Sequence, residues 1–227
     1  MVKLSRNTEV FVVYKWIIFD LDGTLCDSLE DIKNALNSAL NYFGYKANYT
    51  YQDAKKFIGS GAKVLVERAL LKFDSNLSKL DEVLDKYNEI YHKTSMNNLK
   101  LFNNVEEVLL KLRNYNFKLG VLSNKPHQDT TKIINTILPG IFDFVQGQVV
   151  NVKTKPSKDA ILNVCNLYNI KLEEILYVGD MINDMQLCQN SGIDFCLCKF
   201  GYDTTNSLND YKYKIDDFNE LIKILIN

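Results

Sequence analysis

Two carboxylates one residue apart, Asp20 and Asp22, stand in the stretch K-W-I-I-F-D-L-D-G-T-L-C-D-S that runs from Lys15 to Ser28. On an extended chain, residues two apart point to the same side, so both acids can face one pocket. Two like charges this close are unfavourable unless a cation or a shared proton relieves them. An all-oxygen donor set suits a hard ion such as Mg²⁺. Gly23 follows directly and lets the chain turn without a Cβ clash. Further polar groups recur beside later apolar runs: Ser123 and Asn124, then Lys155 before Pro156, then Asp180 in G-D-M-I-N-D with Asp184 four residues on. The collection is chemically coherent. It offers carboxylates for a metal and a nucleophile, a hydroxyl and amides for phosphate oxygens, and one cation.

These groups need a scaffold that brings them together. Trp16 to Phe19 is a short apolar run, the pattern of a strand buried on both faces of a parallel sheet. Ser28 with Asp31 three residues on predicts a helix start in the manner of a capping box, and Gly44 predicts its end. Apolar stripes at helical spacing then follow one another as far as Tyr91, with no convincing strand between them. Beyond that point strands and helices alternate. Strands are expected over 119–122, 142–145, 175–178 and 195–198, and helices over 105–112, 130–138, 156–168, 182–190 and 218–226. Val10 to Val13 is read as an extension of the first strand or a neighbour to it, after a loose lead-in over residues 1–7. Alternation of this kind implies a doubly wound parallel sheet with helices on both faces. Because the first strand precedes the helical block, the expectation is an α/β fold with an inserted α-helical cap domain. Residues 1–26 and 98–227 would form a discontinuous core and residues 27–97 the cap. In such a sheet the strand ends converge on one crevice.

Composition sets outer bounds. The chain has 227 residues, 46% hydrophobic and 24% charged, as in an ordinary soluble globular protein. Its 27 basic and 28 acidic residues nearly cancel, which argues against nucleic acid or an anionic membrane as a partner. Five cysteines without a C-x-x-C pair point to reduced thiols in a cytoplasmic protein and away from zinc. The apolar stretch from Val10 to Phe19 is interrupted by Lys15, is too short to span a bilayer and lacks a small-residue cleavage site, so no secretion signal is read. Monomer and homodimer both stay open.

The order and type of the polar groups resemble the four motifs of the haloacid dehalogenase (HAD) superfamily. D-L-D-G-T-L is similar to its first motif, L-S-N to its second, K-P to its third and G-D-x-x-x-D to its fourth. The resemblance covers nearly the whole chain, including a cap inserted between the first two motifs. F-I-G-S-G-A-K-V-L-V-E-R-A-L from Phe57, together with S-N-K-P from Ser123, most resembles the phosphoglycolate phosphatases. There are departures: members often carry Pro-Gly where this chain has Asn103-Asn104, and often a small residue or proline near residues 157–159. The resemblance implies a Mg²⁺-dependent phosphatase acting on a small phosphorylated metabolite, most readily 2-phosphoglycolate. It implies Asp20 as the nucleophile that forms an aspartyl-phosphate, and Asp22 as the general acid and base. It implies a Mg²⁺ ion held by Asp20, the backbone carbonyl of Asp22, Asp180 and, directly or through water, Asp184. Ser123, the amide of Asn124 and Lys155 would stabilise the phosphoryl group.

Each assignment has a plainer rival. Ser123 can cap the following turn, and Lys155 competes with Lys153 and Lys158. Asp184 can be an exposed helix residue, and Asn183 a packing polar. Asp27 and Ser28 read as helix caps, and His92 and His127 as surface residues. Gly59, Ser60 and Gly61 lack the ending of a P-loop and join two helices. They are read as a hinge or cap loop over the site that contributes to substrate selection. A pyrophosphatase, a nucleotide or sugar-phosphate phosphatase and a phosphosugar mutase all fit the same motifs. A dehalogenase of this superfamily uses one aspartate and no Mg²⁺, which Asp22 disfavours. A non-catalytic binding protein would be expected to have lost a charged site residue.

Overall fold

In a computed structural model the structure describes residues 14–203 and 207–226. The expectations for residues 1–7 and for Val10 to Val13 lie outside the described residues. Six strands form one parallel sheet: β1 (Trp16–Phe19), β4 (Lys118–Pro126), β5 (Phe144–Gln148), β6 (Ile175–Gly179), β7 (Asp194–Cys198) and β8 (Tyr213–Ile215), in the order β5-β4-β1-β6-β7-β8. Two two-residue strands, β2 (Cys26–Asp27) and β3 (Lys100–Leu101), pair antiparallel outside the sheet.

Alternation of side chains sorts the core into two layers. Ile17, Phe19, Leu119, Val121, Leu176 and Val178 pack on one face with α5 (Val105–Asn114), α6 (His127–Ile137) and α9 (Glu220–Ile226). Ile18, Leu122, Tyr177 and Phe195 pack on the other with α7 (Asp159–Tyr168) and α8 (Ile182–Ser191). The central strands β1 and β6 are therefore apolar on both sides, as a sheet covered on both faces requires.

Between β2 and β3 the chain is helical: α1 (Leu29–Tyr42), α2 (Tyr51–Phe57), α3 (Ala62–Leu70) and α4 (Leu80–Thr94). They share an apolar core of their own, built on residues such as Leu36, Leu40, Leu65, Leu70, Val83 and Tyr87. The inserted helical unit and the doubly wound sheet are as the hydrophobic periodicity implies.

Several local expectations need correction. Ser28 does not cap α1 with its side chain; its hydroxyl donates to Asp22 Oδ1 instead. Asp31 turns outward from that box and accepts from the backbone N–H and side-chain amide of Asn98, at 3.1 and 2.8 Å through Oδ1. The strand read as 119–122 runs on through Ser123 to Pro126, because Pro126 pairs with Gln148 beyond an irregularity in the register. Pro156 precedes α7 by three residues rather than opening it. The short strands β2, β3 and β8 carry too few residues for periodicity to reveal.

Candidate active site

The sheet order fixes where the site lies. The connection from β1 leads towards β4 and that from β6 towards β7, so the crevice of a doubly wound sheet opens beyond the C-terminal ends of β1 and β6. Asp20 follows β1 and Asp180 follows β6. With Asp184, in the first turn of α8, they form a cluster of three buried carboxylates whose ligand oxygens lie within 4.8 Å of one another.

Each acid is held by its own donors. Asp20 Oδ1 accepts from the N–H of Leu21 at 2.7 Å and pairs with Lys155 Nζ at 2.8 Å. Asp20 Oδ2 has no hydrogen-bond partner among the described residues, and Asp20 lines a cleft. Asp180, fully buried, accepts from the Thr24 hydroxyl at 2.9 Å and the N–H of Tyr202 at 2.7 Å. Asp184, equally buried, reaches back to the N–H groups of Asp180 and Met181 at 3.2 and 3.0 Å. Its other oxygen meets Lys155 Nζ at 2.8 Å. Lys155 also donates to the Tyr177 hydroxyl at 3.0 Å, and that hydroxyl donates to the carbonyl of Leu122 at 2.8 Å. Lys153 and Lys158 are exposed.

Gly23 shows why this turn demands glycine. Its φ is +87°, and a Cβ there would stand 2.2 Å from Asp180 Oδ2. The main chain thus passes against the carboxylate at a distance no side chain permits.

Lys155 pairs with only two of the three acids, and the excess of negative charge appears in the protonation of Asp20 and Asp180. Burial pushes the Asp20 carboxyl up to about 7, against the pull of Lys155 and with the help of Asp184. Burial, then Asp184 and Asp20, raise Asp180 as well. For Lys155, burial acts downward but Asp184 and Asp20 outweigh it, so its ammonium is held above the ordinary lysine value. A buried, oxygen-only cluster with excess negative charge fits a divalent hard cation. Asp20, Asp180 and Asp184 are the residues that would hold it.

Asp22 stands apart from the cluster but lines the same cleft. It receives the Ser28 hydroxyl and pairs with Lys125 Nζ at 3.0 Å. The two neighbouring acids are thus relieved by different lysines, Asp20 by Lys155 and Asp22 by Lys125. Ser123 Oγ accepts from the N–H of Lys125 at 3.2 Å, a local bond within β4 where a turn was expected, while the residue also lines the cleft. Asn124 clamps Lys155 through the backbone: its Oδ1 accepts from the Lys155 N–H at 2.8 Å and its Nδ2 donates to the Lys155 carbonyl at 2.9 Å. Gly59, Ser60 and Gly61 come from the helical unit to meet the core. The Gly59 carbonyl accepts from Asn183 at 2.7 Å and Asn124 at 3.2 Å, and Ser60 Oγ accepts from Asn183 at 3.0 Å. His92 and His127 are both outside the acidic cluster.

Lys125, Thr24, Tyr177, Tyr202 and Tyr91 also belong to this site and are not among the residues singled out from the sequence. Lys125 and Thr24 lie inside the motifs S-N-K-P and D-G-T-L, where their position was a usable signal. The tyrosines arrive from distant segments and had none.

This arrangement can be set beside known proteins. The family model for haloacid dehalogenase-like hydrolases matches residues 17–198. The chain belongs to the haloacid dehalogenase-like hydrolase family. Within that family it is similar to the phosphoglycolate phosphatase of Psychrobacter arcticus, 32% identical over 92% of this chain and 95% of the relative. It is also similar to the phosphoglycolate phosphatase of Aquifex aeolicus, 31% identical over 93% and 96%. A crystal structure of a candidate phosphoglycolate phosphatase from Lactobacillus delbrueckii subsp. bulgaricus superposes with a TM-score of 0.88 at 26% identity, covering 94% of this chain and 98% of that one. A haloacid dehalogenase-like family protein of Streptococcus pneumoniae shares the fold, with a TM-score of 0.82 at 20% identity over 93% and 98%. No helix among the described residues is long and apolar enough to cross a membrane, and all five cysteines are free and buried.

Proposed function

We propose that this chain is a Mg²⁺-dependent phosphatase that hydrolyses a small phosphate monoester, with 2-phosphoglycolate the preferred substrate. The observation that carries the reading is Asp20, whose Oδ2 is left without a partner in a cleft that Asp22 also lines. Family membership and the names of relatives at 31 and 32% identity support the substrate.

In this reading Asp20 Oδ2 attacks phosphorus in line. The bond to the leaving oxygen breaks, its electron pair stays on that oxygen, and the oxygen takes a proton from Asp22. Asp22, now a carboxylate, takes a proton from a water whose oxygen attacks the aspartyl-phosphate. The Asp20 oxygen–phosphorus bond then breaks, which frees inorganic phosphate and restores both acids. The Ser123 hydroxyl, the Asn124 amide and Lys155 stabilise charge on the transferring group, where positioning and electrostatics supply most of the rate. Mg²⁺, when held by Asp20, the backbone carbonyl of Asp22, Asp180 and Asp184, directly or through water, would neutralise charge on the phosphoryl oxygens.

Residues 27–97 act as a cap on a core drawn from the described residues before 27 and after 97. The paired strands β2 and β3 lie where the chain crosses between them and support hinges near Cys26–Asp27 and within residues 96–102. Gly59, Ser60 and Gly61 bring the cap to the cleft and take part in substrate selection. The free, buried cysteines support a reducing, cytoplasmic setting. Phosphate release from a panel of phosphorylated metabolites, with and without Mg²⁺, tests the reading. The expected result is Mg²⁺-dependent release with a clear preference for 2-phosphoglycolate. A panel that yields isomerised sugar phosphate, or nothing, overturns it.

A further inference from the structure

The cleft has a second polar wall, opposite in charge to the acidic cluster. Lys125, 7% exposed, is the one basic side chain that lines the cleft among the described residues. An ammonium carries three N–H donors. Two have partners: Asp22 Oδ2 at 3.0 Å and the Tyr91 hydroxyl at 2.6 Å. Tyr91, from α4 and 2% exposed, accepts that bond, and its own proton has no acceptor among the described residues. Tyr87, one turn earlier, stacks on Tyr91 with ring centroids 5.6 Å apart. Its hydroxyl has no hydrogen-bond partner among the described residues, and it too lines the cleft. An ammonium proton and two phenolic protons on one sheltered wall therefore lack acceptors. Donors that face a cleft without a protein acceptor are placed to take one from a ligand.

The geometry points to a carboxylate-binding subsite, formed by Lys125, Tyr91 and Tyr87, that receives an anionic group on the leaving portion of the substrate. This inference rests on the phosphatase reading above. The location decides which part of the substrate is read. Lys125 adjoins Asp22, the proton donor to the leaving oxygen in that reading, whereas Lys155 adjoins Asp20 on the phosphoryl side. When a carboxylate carbon is two bonds from the ester oxygen the two lie roughly 2.5 Å apart. A carboxylate so placed falls beside the ammonium that neighbours Asp22. The apolar side chains of Ile32, Ile58 and Leu65, with Asn88 of α4, line the cleft beside it.

The test compares kcat/KM for 2-phosphoglycolate and ethyl phosphate, two esters of similar size that differ in the carboxylate, in the Mg²⁺-loaded full chain. The wild type is expected to favour 2-phosphoglycolate strongly. Lys125→Met should lower that preference by about 100-fold and Tyr91→Phe by about 10-fold, the scale of hydrogen bonds to a charged group. Tyr91→Phe removes one oxygen and keeps the ring stack, so it decides the matter if Lys125→Met does not fold. An unchanged preference overturns the subsite. So does an equal loss on both esters, which would assign Lys125 to Asp22 alone. Wild-type turnover of ethyl phosphate with no preference for 2-phosphoglycolate overturns the subsite and leaves the phosphatase reading standing. Turnover of neither ester removes both.

Discussion

The two walls of the cleft are built on different terms. On the core side the acidic cluster and its lysine are fixed by short-range bonds from the core itself: Asp180 by Thr24 and Tyr202, Asp184 by two N–H groups of its own turn, Lys155 by Asp20, Asp184 and Tyr177. On the cap side the contacts cross from one unit to the other through single side chains. Lys125 reaches Tyr91, Asn183 reaches Gly59 and Ser60, and His92 Nδ1 meets Asp129 at 2.7 Å. The first wall is over-determined, as groups that must hold charge in low dielectric have to be. The second is tied by contacts that belong to no helix or strand ladder. In the reading proposed above, the difference is a division of labour: chemistry on the fixed wall, admission and choice of substrate on the other.

Asp20→Asn is the sharpest way to separate the two. It should lower phosphate release by about 10⁴-fold or more, as loss of a nucleophile does, while the melting temperature stays near that of the wild type. The substitution removes a buried charge from a cluster already too acidic, so the fold loses little. Retention of a tenth of the wild-type rate would remove Asp20 from the chemistry.

Gly23→Ala attacks the same wall through the backbone. The added methyl meets Asp180 Oδ2 at 2.2 Å with φ at +87°, so either the turn or the carboxylate must move. The expected loss in kcat is about 100-fold, the scale of a 1 Å misplacement, with a higher Mg²⁺ concentration needed for half-maximal rate. A variant with wild-type Mg²⁺ dependence would mean that the fixed wall tolerates displacement.

Stability against pH gives a third contrast. Asp20 titrates near 7 in the folded chain against 3.8 for an ordinary aspartate, and Asp180 moves in the same direction. Between those values the native protein keeps protons that the unfolded chain has released, so the free energy of unfolding falls as pH rises through that interval. The metal-free protein should therefore melt at lower temperature at pH 8 than at pH 5. Mg²⁺ held as proposed would favour the deprotonated cluster, so it should raise the melting temperature more at pH 8. Calorimetry with and without Mg²⁺ checks both signs. Melting that rises with pH in the metal-free chain would show that the acids are not in conflict.

The fixed wall is also the legible one. Trp16 to Phe19 running into D-L-D-G-T, and Ile175 to Val178 running into G-D, give strand, turn and acid in one local reading. The sheet topology then brings them together without further information. The contacts across to the helical unit were not legible, because burial of Lys125 on β4 depends on Tyr91, 34 residues away and on that unit. Ser28 shows the same limit at short range. Its spacing to Asp31 fits a capping box, yet its hydroxyl goes to Asp22 and Asp31 goes to Asn98. Both residues are spent on tertiary contacts that local pattern does not contain. S-N-K-P reads as a turn by composition, but pairing with β5 draws it into β4.

The smallest expected effect tests whether the cap side moves at all. Asn183 Nδ2 donates to the Gly59 carbonyl at 2.7 Å and to Ser60 Oγ at 3.0 Å, and so ties α8 of the core to the cap loop. Gly59 has φ at +112° and a Cβ there would meet Met181 Cε at 2.8 Å, so the loop is shaped to lie close over the core. Asn183→Ala cuts that tie without touching any charged group. Net hydrogen bonds of this kind are worth about 1 kcal/mol each, enough to shift an open–closed balance several-fold but not to unfold the chain. If the closed form is the one that binds substrate, as proposed above, KM should rise about five-fold, with kcat unchanged or raised if product release through the opened cap limits the rate. Small-angle scattering should show the variant more extended than the wild type without ligand and equal to it with fluoroberyllate bound. A fall in kcat with KM unchanged would place Asn183 on the chemical wall and erase the boundary drawn between the two.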